Sequence, residues 1–162
     1  MKKIFLFLLL FLTVNFCHAE ALKASLSYDE TIKSFFGTWH VTSKIESATN
    51  YSLFNKLSVD IWNLSGYGNV LILENALTGA KSSIQTTTSE DLDGKHLKFT
   101  RIKEFKEGNF KYKHTETPEF TLKGDVFKGF DTFTVEKFDN EGHQISVDVV
   151  KYKVVGQKIA GD

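Results

Sequence analysis

Residues 35–45 read FFGTWHVTSKI and contain the strongest structural signal of the chain. Gly37 allows a sharp turn of the backbone, and the indole of Trp39 can then close one end of an apolar interior. From Trp39 onward the residues alternate, which places Trp39, Val41 and Ile45 on one face and polar residues on the other. The stretch therefore predicts a half-buried first strand that begins at the closed end of the fold.

The N-terminal residues 1–21 have a different character. Two lysines precede an apolar run over residues 4–12, and small residues follow at Ala19 and Ala21. This order is typical of a secretory signal peptide, here cleaved after Ala19 or Ala21. Because a membrane-spanning helix needs about 20 apolar residues, the run is too short to span a bilayer. We therefore expect a mature domain over residues 22–162, with no stable membrane anchor after signal cleavage.

The single cysteine, Cys17, leaves with the predicted signal peptide. Lipid modification of Cys17 is disfavoured because a bacterial lipobox has a small residue before the cysteine, and this chain has Phe16. A mature domain without cysteine has no disulfide and depends on its core alone. The short lysine leader and the absence of disulfides favour a bacterial periplasm over animal secretion, and we expect a periplasmic or secreted protein.

Charge excludes one class of partner. The chain has 20 basic and 20 acidic residues, so its formal net charge is +0. Nucleic-acid binding requires a basic face that neutralises phosphates. We therefore expect no nucleic-acid partner.

Turn residues recur roughly every 8 to 15 residues after the first strand, a spacing typical of β-barrels and β-sandwiches. We count about nine strands and predict an all-β fold, an up-and-down antiparallel β-barrel with a short N-terminal helix. Ser27 and Glu30 have the form of a capping box for that helix, with an ordered loop as the alternative. A change of apolar parity at Val149 and Val150 predicts a β-bulge.

No catalytic constellation stands out. The histidines of the predicted mature domain lack metal-ligand spacing, although His96 and His114 lie on hairpin-linked strands and could meet. Residues 139–142 have the oxygens of a calcium loop without its ligand spacing, which favours a hairpin turn. We therefore expect no enzymatic activity, no metal and no cofactor.

Two aromatic residues are candidates for a protein contact. In the second predicted strand, Val59 and Ile61 alternate with Trp62, and we interpret the aliphatic face as the inner one. Trp62 then lies outside or at a rim, where it and Tyr67 could anchor a protein partner. The alternative is that residues 20–36 pack over Trp62.

The motif Gly37, Thr38, Trp39, placed behind a short helix and ahead of a β meander, resembles the calycin superfamily, lipocalins above all. The resemblance implies a barrel with a ligand cup, and it assigns Gly37 and Trp39 to the closed end as a structural motif. Lipocalins also have a late arginine that packs on the tryptophan, whereas the single arginine of this chain is Arg101, in mid-chain. Fatty-acid-binding proteins and avidins share the Gly-Thr-Trp motif.

We therefore expect a secreted or periplasmic non-enzymatic protein that binds a small hydrophobic ligand such as a lipid. The predicted lumen residues are Val59, Ile61, Phe99, Tyr112 and Phe133. A filled core is the alternative for all five, because about 11 phenylalanines of the predicted mature domain can fill a small barrel. A filled barrel would instead be an interaction module that binds another envelope or secreted protein through its surface.

Overall fold

The structure, a computed structural model, describes residues 31–161. The predicted signal peptide and the predicted capping residues Ser27 and Glu30 lie outside this range. A short helical turn at residues 31–33 leads into the strands. The strands are β1 Gly37–Ala48, β2 Leu57–Tyr67, β3 Val70–Asn75, β4 Lys81–Asp91, β5 Gly94–Phe99, β6 Arg101–Glu107, β7 Phe110–Lys123, β8 Val126–Phe138 and β9 Gln144–Ala160.

Eight of these strands close into an antiparallel barrel. The order around the wall is β5, β4, β3, β2, β1, β9, β8 and β7, and pairing of β5 with β7 completes the circle. Strand β6 is additional and, within residues 31–161, pairs only with β7. The predicted all-β, up-and-down antiparallel barrel with a short N-terminal helical turn is confirmed.

Strands β5 and β6 form one extended run that is interrupted at Thr100. Both pair with β7 in one continuous register, which places Arg101 opposite Glu116. Strand β4 pairs with β5 only as far as Thr86, which lies opposite Phe99. The barrel wall is therefore split between the first half of β4 and the start of β6.

The closed end of the barrel is built around Trp39, which is fully buried. Its indole Nε1 donates a hydrogen bond of 2.8 Å to the carbonyl oxygen of Phe35, and its ring centroid lies 4.9 Å from that of Phe127. Ile32 and Phe35, from the segment before β1, are also fully buried. This segment therefore covers the closed end, and apolar side chains fill the interior above it.

Gly156, on β9, lies against the ring of Phe127. A Cβ atom at this position would overlap the ring of Phe127, which is itself fully buried. Because the core leaves that ring little room to move, we expect Gly156→Ala to lower the free energy of unfolding by about 1 to 3 kcal/mol. Urea denaturation measures the change. In a Phe127→Leu background the same substitution should cost less, and an equal cost in both backgrounds would contradict the steric explanation.

The predicted bulge at Val149 and Val150 is wrong, because β9 pairs with β8 in an unbroken register through both residues. The change of parity has a different cause. The start of β9 has aliphatic side chains on its outer face, such as Val147, which is 44% exposed, whereas Val150 is fully buried. A register shift lies instead on the neighbouring strand β1, between Ile45 and Ser47.

Candidate functional site

Strand β2 faces the opposite way from the prediction. Val59 is 48% exposed and Ile61 shares its outer face, whereas Asp60 and Trp62 line the interior. The cause is pairing with β1: Trp62 lies directly opposite Trp39, and opposite residues in a sheet share a face. The prediction that Val59 and Ile61 face inward is therefore wrong, and so is the placement of Trp62 on the outer face. Trp62 packs inside the barrel near Phe120 and Phe127.

The other predicted residues lie at different depths. Phe99 is 4% exposed and belongs to the apolar core. Tyr112 and Phe133 are half-buried on the inner face, towards the open end of the barrel. Tyr67 is 67% exposed at the turn between β2 and β3. Ligand or partner binding by these residues stays a prediction.

Aromatic side chains from β6, β7, β8 and the β1–β2 loop cluster on one side of the open end, and we call this group the aromatic rim. His114 lies at its centre, with ring centroids 4.8 Å from Phe105 and 5.1 Å from Phe133. Burial, together with the charge of Lys103, lowers the pKa of His114, which favours a neutral imidazole at pH 7. The rim consists of Phe54, Phe105, Tyr112, His114 and Phe133.

Between the apolar core and the aromatic rim the interior is polar. On β7 the inward residues change from Phe120 in the core to Glu116 and then to His114 in the rim. The polar level lines a cavity of about 290 Å³ that also reaches Trp62. We call its main polar residues the polar cup: Asp60, Asn75, Arg101, Glu116, Asp131 and Tyr152.

Arg101 connects the two sides of the split wall. Its Nε donates a hydrogen bond of 2.8 Å to Oε2 of Glu116 on β7, and its Nη2 binds the same oxygen. Its Nη1 donates to Oγ of Ser82 on β4 at 3.0 Å. A second cavity of about 690 Å³ lies along the split and is lined by both members of the Arg101–Glu116 pair. The ion pair therefore borders both cavities.

Asp131 is the most perturbed titratable group of residues 31–161. Burial raises the pKa of Asp131 to about 8, and the neighbouring negative charge of Glu116 adds to the rise, while Arg101 opposes it. The carboxyl group is therefore mostly protonated at pH 7. Its Oδ1 is buried and has no hydrogen-bond partner among the residues that the structure describes. Asp131 thus places an unused acceptor in the wall of the cup.

Three further residues complete the cup. Asn75 Nδ2 donates a hydrogen bond of 2.9 Å to Oδ1 of Asp60, which orients that carboxylate. Burial, and then the charge of Asp131, raises the pKa of Tyr152, so its hydroxyl stays protonated. The cup thus contains three carboxyl groups and one guanidinium group. Such a site suits a ligand that donates hydrogen bonds or carries positive charge.

His96 and His114, whose strands are linked by hairpins, lie on opposite faces of the sheet. His96 is on the outer surface, where Nε2 lies 2.7 Å from Oδ2 of Asp91 and Nδ1 lies 2.9 Å from Oγ1 of Thr121. His114 faces inward, within the rim. The contacts of His96 therefore connect the β4–β5 turn to β7 and form no shared site with His114.

The acidic turn between β8 and β9 brings three possible ligand groups together. Side-chain atoms of Asp139, Glu141 and His143 lie within 4.8 Å of one another. Asp139 Oδ1 accepts backbone N–H bonds from Glu141 and His143, each of 2.9 Å. These bonds hold the three side chains together within a hairpin turn, which is the structure that the sequence favoured for residues 139–142.

No protein-family model, no curated protein and no solved structure matches this chain. Within residues 31–161, no helix has the length and apolar character that crossing a membrane requires.

Proposed function

We propose that the protein is a non-enzymatic binding protein that holds one small amphipathic ligand at the open end of the barrel. The ligand's basic or hydrogen-bond-donating group would contact Asp131. The observation that carries this proposal is the carboxyl group of Asp131, which lines the cavity and whose buried Oδ1 has no hydrogen-bond partner among the described residues. Buried polar atoms are nearly always hydrogen-bonded, so an unpaired acceptor at a cavity wall favours a ligand or water there.

The polar and charged residues of the cup favour an amphipathic ligand over a purely hydrophobic one. A molecule without polar groups would displace water from the carboxyl groups and from Arg101 and would form no hydrogen bonds in its place. This desolvation costs free energy of binding. The aromatic rim, by contrast, offers apolar contact directly above the cup. A cavity of about 290 Å³ lies at the lower end of the usual range for small-molecule sites. A short amine with an apolar tail fits both levels.

We also propose that the barrel is lipocalin-like and belongs to a periplasmic or secreted protein. Two observations support a lipocalin-like barrel. Trp39 lies at the start of β1 in the closed end of the barrel, and Nζ of Lys158 on the last strand lies 5.4 Å from the centroid of the Trp39 ring. Lys158 thus places a cation over the indole, in the position that the resemblance to lipocalins assigns to a late arginine. The N-terminal sequence pattern supports export.

Matched probes test the ligand class. Decylamine and decanoate have the same chain length and opposite charge, and isothermal titration calorimetry below their micelle concentrations gives both affinities. We expect decylamine to bind at least about tenfold more tightly, because ionised Asp131 pairs with the ammonium group. The affinity should rise as the pH rises towards 8, and binding at pH 7 should release a proton from Asp131.

Two variants define the outcome of this titration. Asp131→Asn should abolish both the preference for decylamine and the proton release. Asp125→Asn, in the exposed turn between β7 and β8, is the control and should change neither. Equal affinities for the two probes, or a preference that survives Asp131→Asn, would contradict the proposal. Native mass spectrometry of the protein from its own host would then identify any ligand of another class.

A further inference from the structure

Strand β6 has one edge that no strand of residues 31–161 occupies. Its hairpin with β7 closes through a two-residue turn, with Glu107 opposite Phe110. In a two-residue hairpin the closing pair is hydrogen-bonded, and every second pair after it is hydrogen-bonded as well. The backbone groups of Glu107, Phe105 and Lys103 therefore form hydrogen bonds with β7. The backbone N–H and C=O groups of the residues between them, such as Glu104 and Lys106, then point towards the unoccupied edge.

We propose that two copies of this chain associate through β6, edge to edge and antiparallel, with Phe105 on the twofold axis. In this register Glu104 of each copy lies opposite Lys106 of the other, in a hydrogen-bonded pair. Lys103 of each copy lies opposite Glu107 of the other, on the inner face. The interface is isologous, so each charge contact occurs twice.

The charges of β6 select this register. If the second copy is shifted by two residues in one direction, Glu104 lies opposite Glu104 of the other copy. If it is shifted in the other direction, Lys106 lies opposite Lys106. Like charges directly opposite each other destabilise a sheet, whereas opposite charges stabilise it. Within the described part of the chain, Glu104, Lys106 and Glu107 form no ion pair, so a second copy would supply their first partners.

The inner face of the edge adds an aromatic contact. The ring of Phe105 stacks on Tyr112, with centroids 5.3 Å apart, and is half-buried in the monomer. On the twofold axis the two copies of Phe105 would form a non-hydrogen-bonded pair, the closer of the two pair types in an antiparallel sheet. Edge lysines usually prevent such pairing, but here each one would meet a glutamate of the other copy.

Sedimentation equilibrium of the mature protein across the micromolar range tests the dimer. We expect a reversible monomer–dimer equilibrium that high salt weakens. Glu104→Lys should raise the dissociation constant at least about tenfold, because two attractive pairs become repulsive. The double variant Glu104→Lys/Lys106→Glu should restore the affinity, since the exchange recreates both pairs. Asp125→Lys makes a similar change of charge in a distant exposed turn and should have no effect.

Three results would overturn the proposal: a monomer at every concentration, a dimer that Glu104→Lys leaves intact, or a double variant that stays monomeric. In the first case the remaining candidates for the edge are residues 1–30 or an extended segment of another protein. Circular dichroism of each variant verifies the fold. The proposal does not depend on the ligand of the polar cup, because none of the substituted residues lines that cavity.

Discussion

Replacing Trp39 with alanine is expected to lower the free energy of unfolding by about 3 to 5 kcal/mol, the usual range for removing a large buried aromatic side chain. The indole is fully buried, and its ring packs against Phe127. The substitution also removes the donor to the carbonyl oxygen of Phe35 and leaves that acceptor unpaired. Urea denaturation followed by circular dichroism gives the change in free energy.

Trp39→Phe separates the two contributions to this loss. Phenylalanine retains much of the apolar contact with Phe127 but lacks the Nε1 donor, so we expect a smaller loss, on the order of 1 to 2 kcal/mol. A loss below about 1 kcal/mol for Trp39→Ala would mean that the indole does not hold the closed end together.

The barrel could be predicted from the sequence because its signals are local. Gly37 and Trp39 mark the start of β1, and glycines mark the turns that follow β2, β3, β4, β6, β7 and β8. The orientation of β2 could not be read in this way. Its residues are apolar on both faces, and the pairing of Trp62 with Trp39, 23 positions earlier, decides which face is buried.

The polar cup depends on contacts between strands, and hydrophobic periodicity alone does not reveal it. Arg101, Glu116 and Asp131 lie on β6, β7 and β8, so they meet only when two hairpins adopt their final registers. A signal was nevertheless present. Asp131 has the same parity as Phe133, which the sequence analysis placed inside, and Arg101 has the same parity as Phe99. Charged residues at inward positions of alternating strands were therefore the available clue to a polar interior.

The titration of Asp131 couples the cup to the stability of the whole barrel. Its pKa is about 8 in the folded protein, against an ordinary value of 3.8. Between these two values the folded state binds more protons than the unfolded state, so stability falls as the pH rises. The contribution of neutral Asp131 is fully present below about pH 4 and is lost as the pH passes about 8. The wild-type protein should therefore lose several kcal/mol of stability across this range, on the order of 5 at most.

Asp131→Asn should remove this loss. The amide has nearly the shape of the neutral carboxyl group, can donate to Glu116 as the protonated acid does, and never ionises. We expect the variant to match the wild-type protein near pH 4 and to exceed its free energy of unfolding by about 2 to 4 kcal/mol at pH 8. Urea denaturation at successive pH values measures both curves, with Asp125→Asn as the exposed control. Parallel curves for Asp131→Asn and wild type from pH 4 to 8 would show that this carboxyl group does not titrate abnormally, and the ligand proposal would lose the group on which it depends.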